Sequence, residues 1–187
     1  HIRVSIACQP TMETVSNLQN GSIDIGLIGD VPDKKNLHFQ PVMEIQDEFV
    51  TTRRYLQNLS TRLGVTITQL YENNNSLLWS NGTFLLLNEE NISRRYINSY
   101  LSGEKIEITQ AIEISTMDLL IEFARIDMGI ACVIGNFVEK EIEENALIKL
   151  PLAVPIPGRN IGFARKIQAD YPIAVRKFCA MLSPGFI

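Results

Sequence analysis

The feature that most constrains this chain is an alternation of short apolar runs with stretches of helical spacing. Residues 23–28 (Ile-Asp-Ile-Gly-Leu-Ile), 83–87 and 130–134 are apolar runs of strand length, too short for a helix of ordinary size. Between them, Met12, Val15 and Leu18 recur at threes, Ile97, Tyr100 and Leu101 share one helical face, and Leu119, Leu120, Phe123 and Ala124 form another stripe. A chain that keeps switching period in this way folds as an α/β protein. Further strands are expected over residues 2–8, about 48–52, 106–114, 147–150 and 160–164, and a last helix over 174–182. Residues 31–40 read as polar loop, and 56–82 are the least legible stretch, with a short helix around Leu63, Ile67 and Leu70.

Local punctuation agrees with this reading. Thr11 follows the first expected strand and is placed to cap the first helix, which Asn20-Gly21 ends in a left-handed turn. Ser115-Thr116 starts a helix directly after residues 106–114, and Gly135-Asn136 opens another with Phe137, Val138 and Ile142 turned inward. Strand, helix and strand within residues 2–28 imply a parallel βαβ unit, and Gly29-Asp30 then lies at a strand's carboxyl end, where open α/β sheets bind ligands.

Composition narrows the function classes. The chain has 187 residues, 45% of them hydrophobic, enough to bury a sizeable core. No apolar run approaches the roughly 18 residues that cross a bilayer, and no export signal is visible, so a cytoplasmic protein without membrane contact is expected. Net charge is −4, and no basic run extends beyond pairs such as Arg53-Arg54 and Arg94-Arg95, which gives no phosphate-gripping face. The three cysteines, Cys8, Cys132 and Cys179, are widely spaced in apolar surroundings and read as buried, reduced thiols. His1 and His38 stand apart from any cysteine or carboxylate cluster, so no metal is expected. No nucleophile, acid–base pair or cofactor motif is present, so neither catalysis nor a cofactor is expected. Asp24 has no catalytic companion and reads as structural, Trp79 and Tyr71 as packing, and the acidic run around 139–144 as a solvated helix face.

Several segments then resemble one known family. Residues 18–27, Leu-Gln-Asn-Gly-Ser-Ile-Asp-Ile-Gly-Leu, resemble the L-x-x-G-x-(L/I)-D-(L/I)-(A/G)-(L/I) signature of LysR-type effector-binding domains. Ile112-Glu113-Ile114-Ser115-Thr116 before an apolar helix, Phe123-Ala124 through Ile134, and the order of residues 147–182 resemble three further segments of that family. Asp127 stands where the family often has glycine and Gly135 where it often has proline, while 63–79 match poorly. The resemblance implies two Rossmann-like lobes joined by crossing strands, as in type-2 periplasmic binding proteins. Lobe one would be 1–50 plus 158–187, and lobe two 51–157. It also implies that a winged helix-turn-helix, a linker helix and the first strand and helix of lobe one precede His1.

The functional expectation follows from both readings. Helix starts after strands present free amides and the positive helix end, which attract anions. Thr11 and Ser115-Thr116 are such starts, and Gln9 and Gly29-Asp30 flank strand ends. In the family, hydroxyl residues at matching turns line an effector cleft between the lobes, which adds Ser93. The expected site is therefore Gln9, Thr11, Gly29, Asp30, Ser93, Ser115 and Thr116, holding a small anionic or zwitterionic metabolite. Binding would be relayed to DNA through the helix-turn-helix. The chain would pair as a homodimer or homotetramer, with residues 2–8 of one subunit near the helix of 116–127 of another. The competing reading is a solute-binding protein of a transport system with the same fold. An enzyme on that fold is a third.

Overall fold

The computed structural model describes residues 3–31, 34–167 and 170–182. Its contacts divide the chain into two compact units, His1–Glu44 with Arg159–Ile187, and Ile45–Gly158.

Unit one is built from helix α1 (Thr11–Asn20), strands β1 (Gly26–Gly29) and β2 (Leu37–Ile45), strand β8 (Arg159–Lys166) and helix α8 (Ile173–Leu182). The sheet order is β1-β8-β2, and β1 runs antiparallel to β8 with Gly26 opposite Ala164 and Gly29 opposite Ile161. The expected strand over 2–8 is not formed. Residues 3–10 carry no regular structure and Val4 and Ile6 are exposed; residues 1 and 2 lie outside the described residues. Alternation supplies one apolar face, but a strand also needs a neighbour for its backbone groups, and here it has none in the sheet. The parallel βαβ unit is absent for the same reason.

Other local expectations shift. Thr11 is the first helical residue rather than the cap; Pro10 is extended (φ −58°, ψ 149°) and its carbonyl accepts from the Thr14 amide at 3.0 Å. Gly21, at φ 80°, ends α1 as expected, its amide donating to the Asn17 and Leu18 carbonyls. Strand β1 is shorter than the apolar run and buried on one face, since Leu27 is 58% exposed. The last four residues of the expected 31–40 loop are strand: β2 begins at Leu37 and tolerates Pro41 because it lies at a sheet edge.

Unit two holds β3 (Asp47–Thr51), α2 (Arg53–Leu63), α3 (Ile67–Leu70), α4 (Glu72–Asn81), β4 (Thr83–Leu87), α5 (Ile92–Gly103), β5 (Gln110–Ile114), α6 (Met117–Arg125), β6 (Ile130–Ile134), a 3₁₀ turn Gly135–Phe137, α7 (Glu139–Glu143) and β7 (Ile148–Lys149). The sheet order is β5-β4-β6-β3-β7; β4 is parallel to β5 and β6, and β3 antiparallel to β6 and β7. β3, which the expected lobe boundary at 50/51 would cut, pairs wholly within this sheet.

Alternation along β4 and β6 splits the apolar side chains between two cores. Phe84 and Leu86 face one with Phe49, Trp79, Ile97 and Leu101; Leu85 and Leu87 face the other with Leu120, Ala124, Val133 and Val138. Trp79 stacks on Phe84 at 5.0 Å and meets Phe49 edge-on at 5.2 Å, so its packing assignment holds. In the stretch 56–82 the helix expected around Leu63, Ile67 and Leu70 is found as the end of α2 and α3, whereas α4 was hidden because it has almost no amphipathic pattern and three consecutive asparagines. Residues 106–109 do not join β5, and α5 runs through Gly103 with the left-handed turn at Lys105 (φ 55°). Leu119 and Phe137, expected inside, are 45% and 52% exposed.

Candidate functional site

Within unit one, Gln9 and Thr11 precede and start α1. The Gln9 Oε1 accepts from Asn17 Nδ2 at 3.3 Å, which fixes the turn rather than leaving the amide free. Gly29 closes β1, and the next amide, of Asp30, donates to the Asn160 carbonyl at 2.9 Å. The Asp30 carboxylate pairs with Lys34, so its negative charge is largely offset on the spot.

Within unit two, Thr116 is extended (φ −132°, ψ 149°), and its hydroxyl accepts from the Leu119 amide at a long 3.4 Å. It is thus the cap the sequence suggested. Ser115 precedes it, and both are exposed. Ser93 is the second residue of α5 and donates its amide to Asn91 Oδ1 at 2.8 Å; the cap there is Asn91. A cavity of about 10 Å³, room for one water, is lined by Asp47, Ser93, Arg94, Met117, Cys132 and neighbours. It brings together Ser93 and the first residue of α6, so the starts of α5 and α6 open on one place. Ser115 and Thr116 are adjacent to it in sequence without lining it.

Two lining residues escaped the sequence reading. Asp47 is 2% exposed and Arg94 is 9% exposed. Arg94 donates from Nε to Asn98 Oδ1 at 2.8 Å and from one terminal nitrogen to the Leu87 carbonyl at 2.8 Å, and it is flanked by Glu89 and Glu113 at 3.8 and 3.6 Å. It also borders an open groove of about 580 Å³ between α5 and residues 104–111. The only sequence hint was the pairing Arg94-Arg95 at a helix start, which reads as surface. Asp47 offered a better one, an acid beginning a strand whose Phe49 and Val50 are apolar.

Among the described residues no cluster of three or more His, Cys, Asp or Glu could hold a metal, and no helix is long and apolar enough to cross a membrane. His38 sits 3.2 Å from an Arg165 guanidinium nitrogen; burial, then that positive charge, lowers its pKa. Cys132 and Cys179 are buried as expected, but Cys8 is exposed because the strand meant to bury it is not formed.

The LysR substrate-binding domain model matches residues 1–186. The chain belongs to the LysR substrate-binding domain family. Domains of this family are regulatory ligand-binding domains with the type-2 periplasmic-binding-protein-like fold. This LysR domain is similar to the regulatory domain of HypT from Salmonella typhimurium in its apo form, at TM-score 0.77 and 15% identity, covering 95% of this chain and 79% of that one. It is similar to the CcmR regulatory domain of Synechocystis in complex with 2-PG, at TM-score 0.75 and 14% identity, covering 96% and 81%. Vibrio fischeri DarR, solved with DNA, matches at TM-score 0.72 and 16% identity; the alignment covers 95% of this LysR domain and 56% of that chain. No curated protein sequence matches it.

Proposed function

We propose that this chain is the effector-binding domain of a cytoplasmic LysR-type transcriptional regulator. In this reading it senses a small anionic or zwitterionic metabolite and relays the event to a DNA-binding part of the same protein. The expected contact residues are Gln9, Thr11, Gly29 and Asp30 in unit one, and, in unit two, Ser93, Ser115 and Thr116, of which Ser93 lines a cavity within that unit. The observation that carries it is the match of the LysR substrate-binding domain model to residues 1–186, in a unit where the starts of α5 and α6 meet beside a buried arginine. The positive helix ends and a guanidinium suit a carboxylate or phosphate; Asp47, at the same cavity, suits an ammonium group. That CcmR is solved with 2-PG and DarR with DNA supports both halves of the proposal. The domain pairs as a homodimer or homotetramer, for which exposed Val4, Ile6, Met12, Leu119 and Ile126 supply apolar surface.

A thermal-shift screen of metabolite carboxylates, phosphate esters and amino acids tests the reading. A ligand that binds only the folded state raises the melting temperature in proportion to the logarithm of its concentration. The expected hit is anionic or zwitterionic, and its shift shrinks in Thr116→Val. Hits confined to uncharged apolar compounds would overturn the assignment.

A further inference from the structure

Arg94, Asn98 and Ser102 lie at intervals of four on α5 and so share one face of it. Together with residues 104–111, which run alongside, they wall an open groove of about 580 Å³ within unit two. Its bed is apolar, made by Leu86, Leu101, Ile106, Ile108 and Ala111. Small-molecule sites have this size and this make-up, an apolar bed with a few polar groups that fix orientation. None of the seven expected effector contacts lines it.

The charged group that distinguishes the groove is Arg94, only 9% exposed. A guanidinium carries five N–H donors. Arg94 makes two hydrogen bonds, from Nε to Asn98 Oδ1 and from Nη1 to the Leu87 carbonyl, both at 2.8 Å. Its other terminal nitrogen, Nη2, has only the Glu89 carboxylate at 3.8 Å, while Glu113 stands 3.6 Å from Nη1. Both carboxylates are too far for a hydrogen bond and more than half exposed. Such solvated pairs contribute little to stability. Glu89 lines the same groove, so it is a weakly held carboxylate at the position where a ligand would meet Arg94.

We propose that this groove is a second small-molecule site, for a monocarboxylate with an unbranched apolar tail. The carboxylate takes the place of Glu89 at Arg94, and the tail lies on Leu101, Ile106 and Ile108. Direct charge-assisted hydrogen bonds replace a long ion pair, and burial of the tail removes apolar surface from water. Lys105 and Glu107, the other charged residues of the groove, offset each other and call for no second charge on the ligand. The site lies beyond the effector contacts proposed above and does not depend on them.

The test is calorimetric titration of the protein with octanoate, with octanamide as its uncharged counterpart. Octanoate should bind at one site, at least about tenfold more tightly than octanamide. Glu89→Gln removes the competing carboxylate and should tighten octanoate several-fold. Ala111→Trp fills the groove from an exposed position and should weaken it about tenfold or more. The proposal is overturned if octanoate does not bind, if octanamide binds as well, or if Glu89→Gln fails to tighten it. It is equally overturned if Thr116→Val weakens octanoate while Ala111→Trp does not, since the acid would then occupy the effector site. Should Ala111→Trp not fold, Ser102→Tyr fills the groove from an exposed position on α5, and unchanged affinity there is just as decisive against it.

Discussion

At the scale of single residues, position and role came apart in ways that can be measured. Thr116 caps α6 while Thr11 caps nothing, although both are hydroxyl residues at helix starts. Thr116→Val should therefore lower stability by roughly 0.5–2 kcal/mol. Thr11→Val should stay within about 0.5 kcal/mol, as at an uninvolved surface site. Chemical denaturation of the free protein distinguishes them, and equal losses would show that Thr11 has a structural role after all. His38 gives a pH prediction. Its folded-state pKa lies below its ordinary 6.5, through burial and then Arg165, so the unfolded chain binds the proton more readily. The stability tied to neutral His38 is present above pH 6.5 and is lost as pH falls through the lower folded value. The melting temperature of wild type should drop more steeply than that of His38→Gln between pH 7 and the acidic range, and parallel curves would count against this.

At the scale of elements, the turn between α6 and β6 carries an ion-paired latch. Asp127 takes a left-handed conformation at φ 66°, where glycine is the unstrained choice. Its carboxylate accepts from the Thr52 hydroxyl and pairs with Arg54 at 3.3 Å, tying the turn to the start of α2. Alanine loses the carboxylate and keeps the strain, whereas glycine loses only the carboxylate. Denaturant midpoints should therefore rank wild type above Asp127→Gly, and Asp127→Gly above Asp127→Ala by about 1 kcal/mol. An alanine variant as stable as the glycine one would show that the backbone strain is immaterial. The departure from the family's usual glycine was visible in the sequence; that a carboxylate here meets Thr52, 75 residues away, was not.

For the whole molecule, the two units differ in how much they bury. Unit two has two cores on opposite faces of a five-stranded sheet. Unit one buries Val15, Leu18, Ile28, Val31, Leu37, Ala164 and Cys179 around three strands. With less apolar area removed from water, unit one should open first. Native-state hydrogen exchange should show the amides of β1 and β8 exchanging before those of β4 and β6. Slower exchange in β1 than in β4 would overturn that order.

The sequence by itself determined the α/β class, the strands 83–87 and 130–134 and the starts of α5 and α6, because each depends on spacing or on a cap within a few residues. Its motif order also pointed to the family that the domain model then matched. Tertiary structure decided what depends on a neighbour distant in sequence. Residues 3–8 alternate like a strand yet have no partner in the sheet, whereas Leu37–Gln40, which looked like loop, begin the strand Leu37–Ile45 that lies beside β8. Asp47 and Arg94 became cavity walls only once β3 and α5 lay beside β6 and α6. Local sequence sets what a segment can become, but a strand's backbone bonds and a buried charge's partners are supplied from elsewhere in the chain.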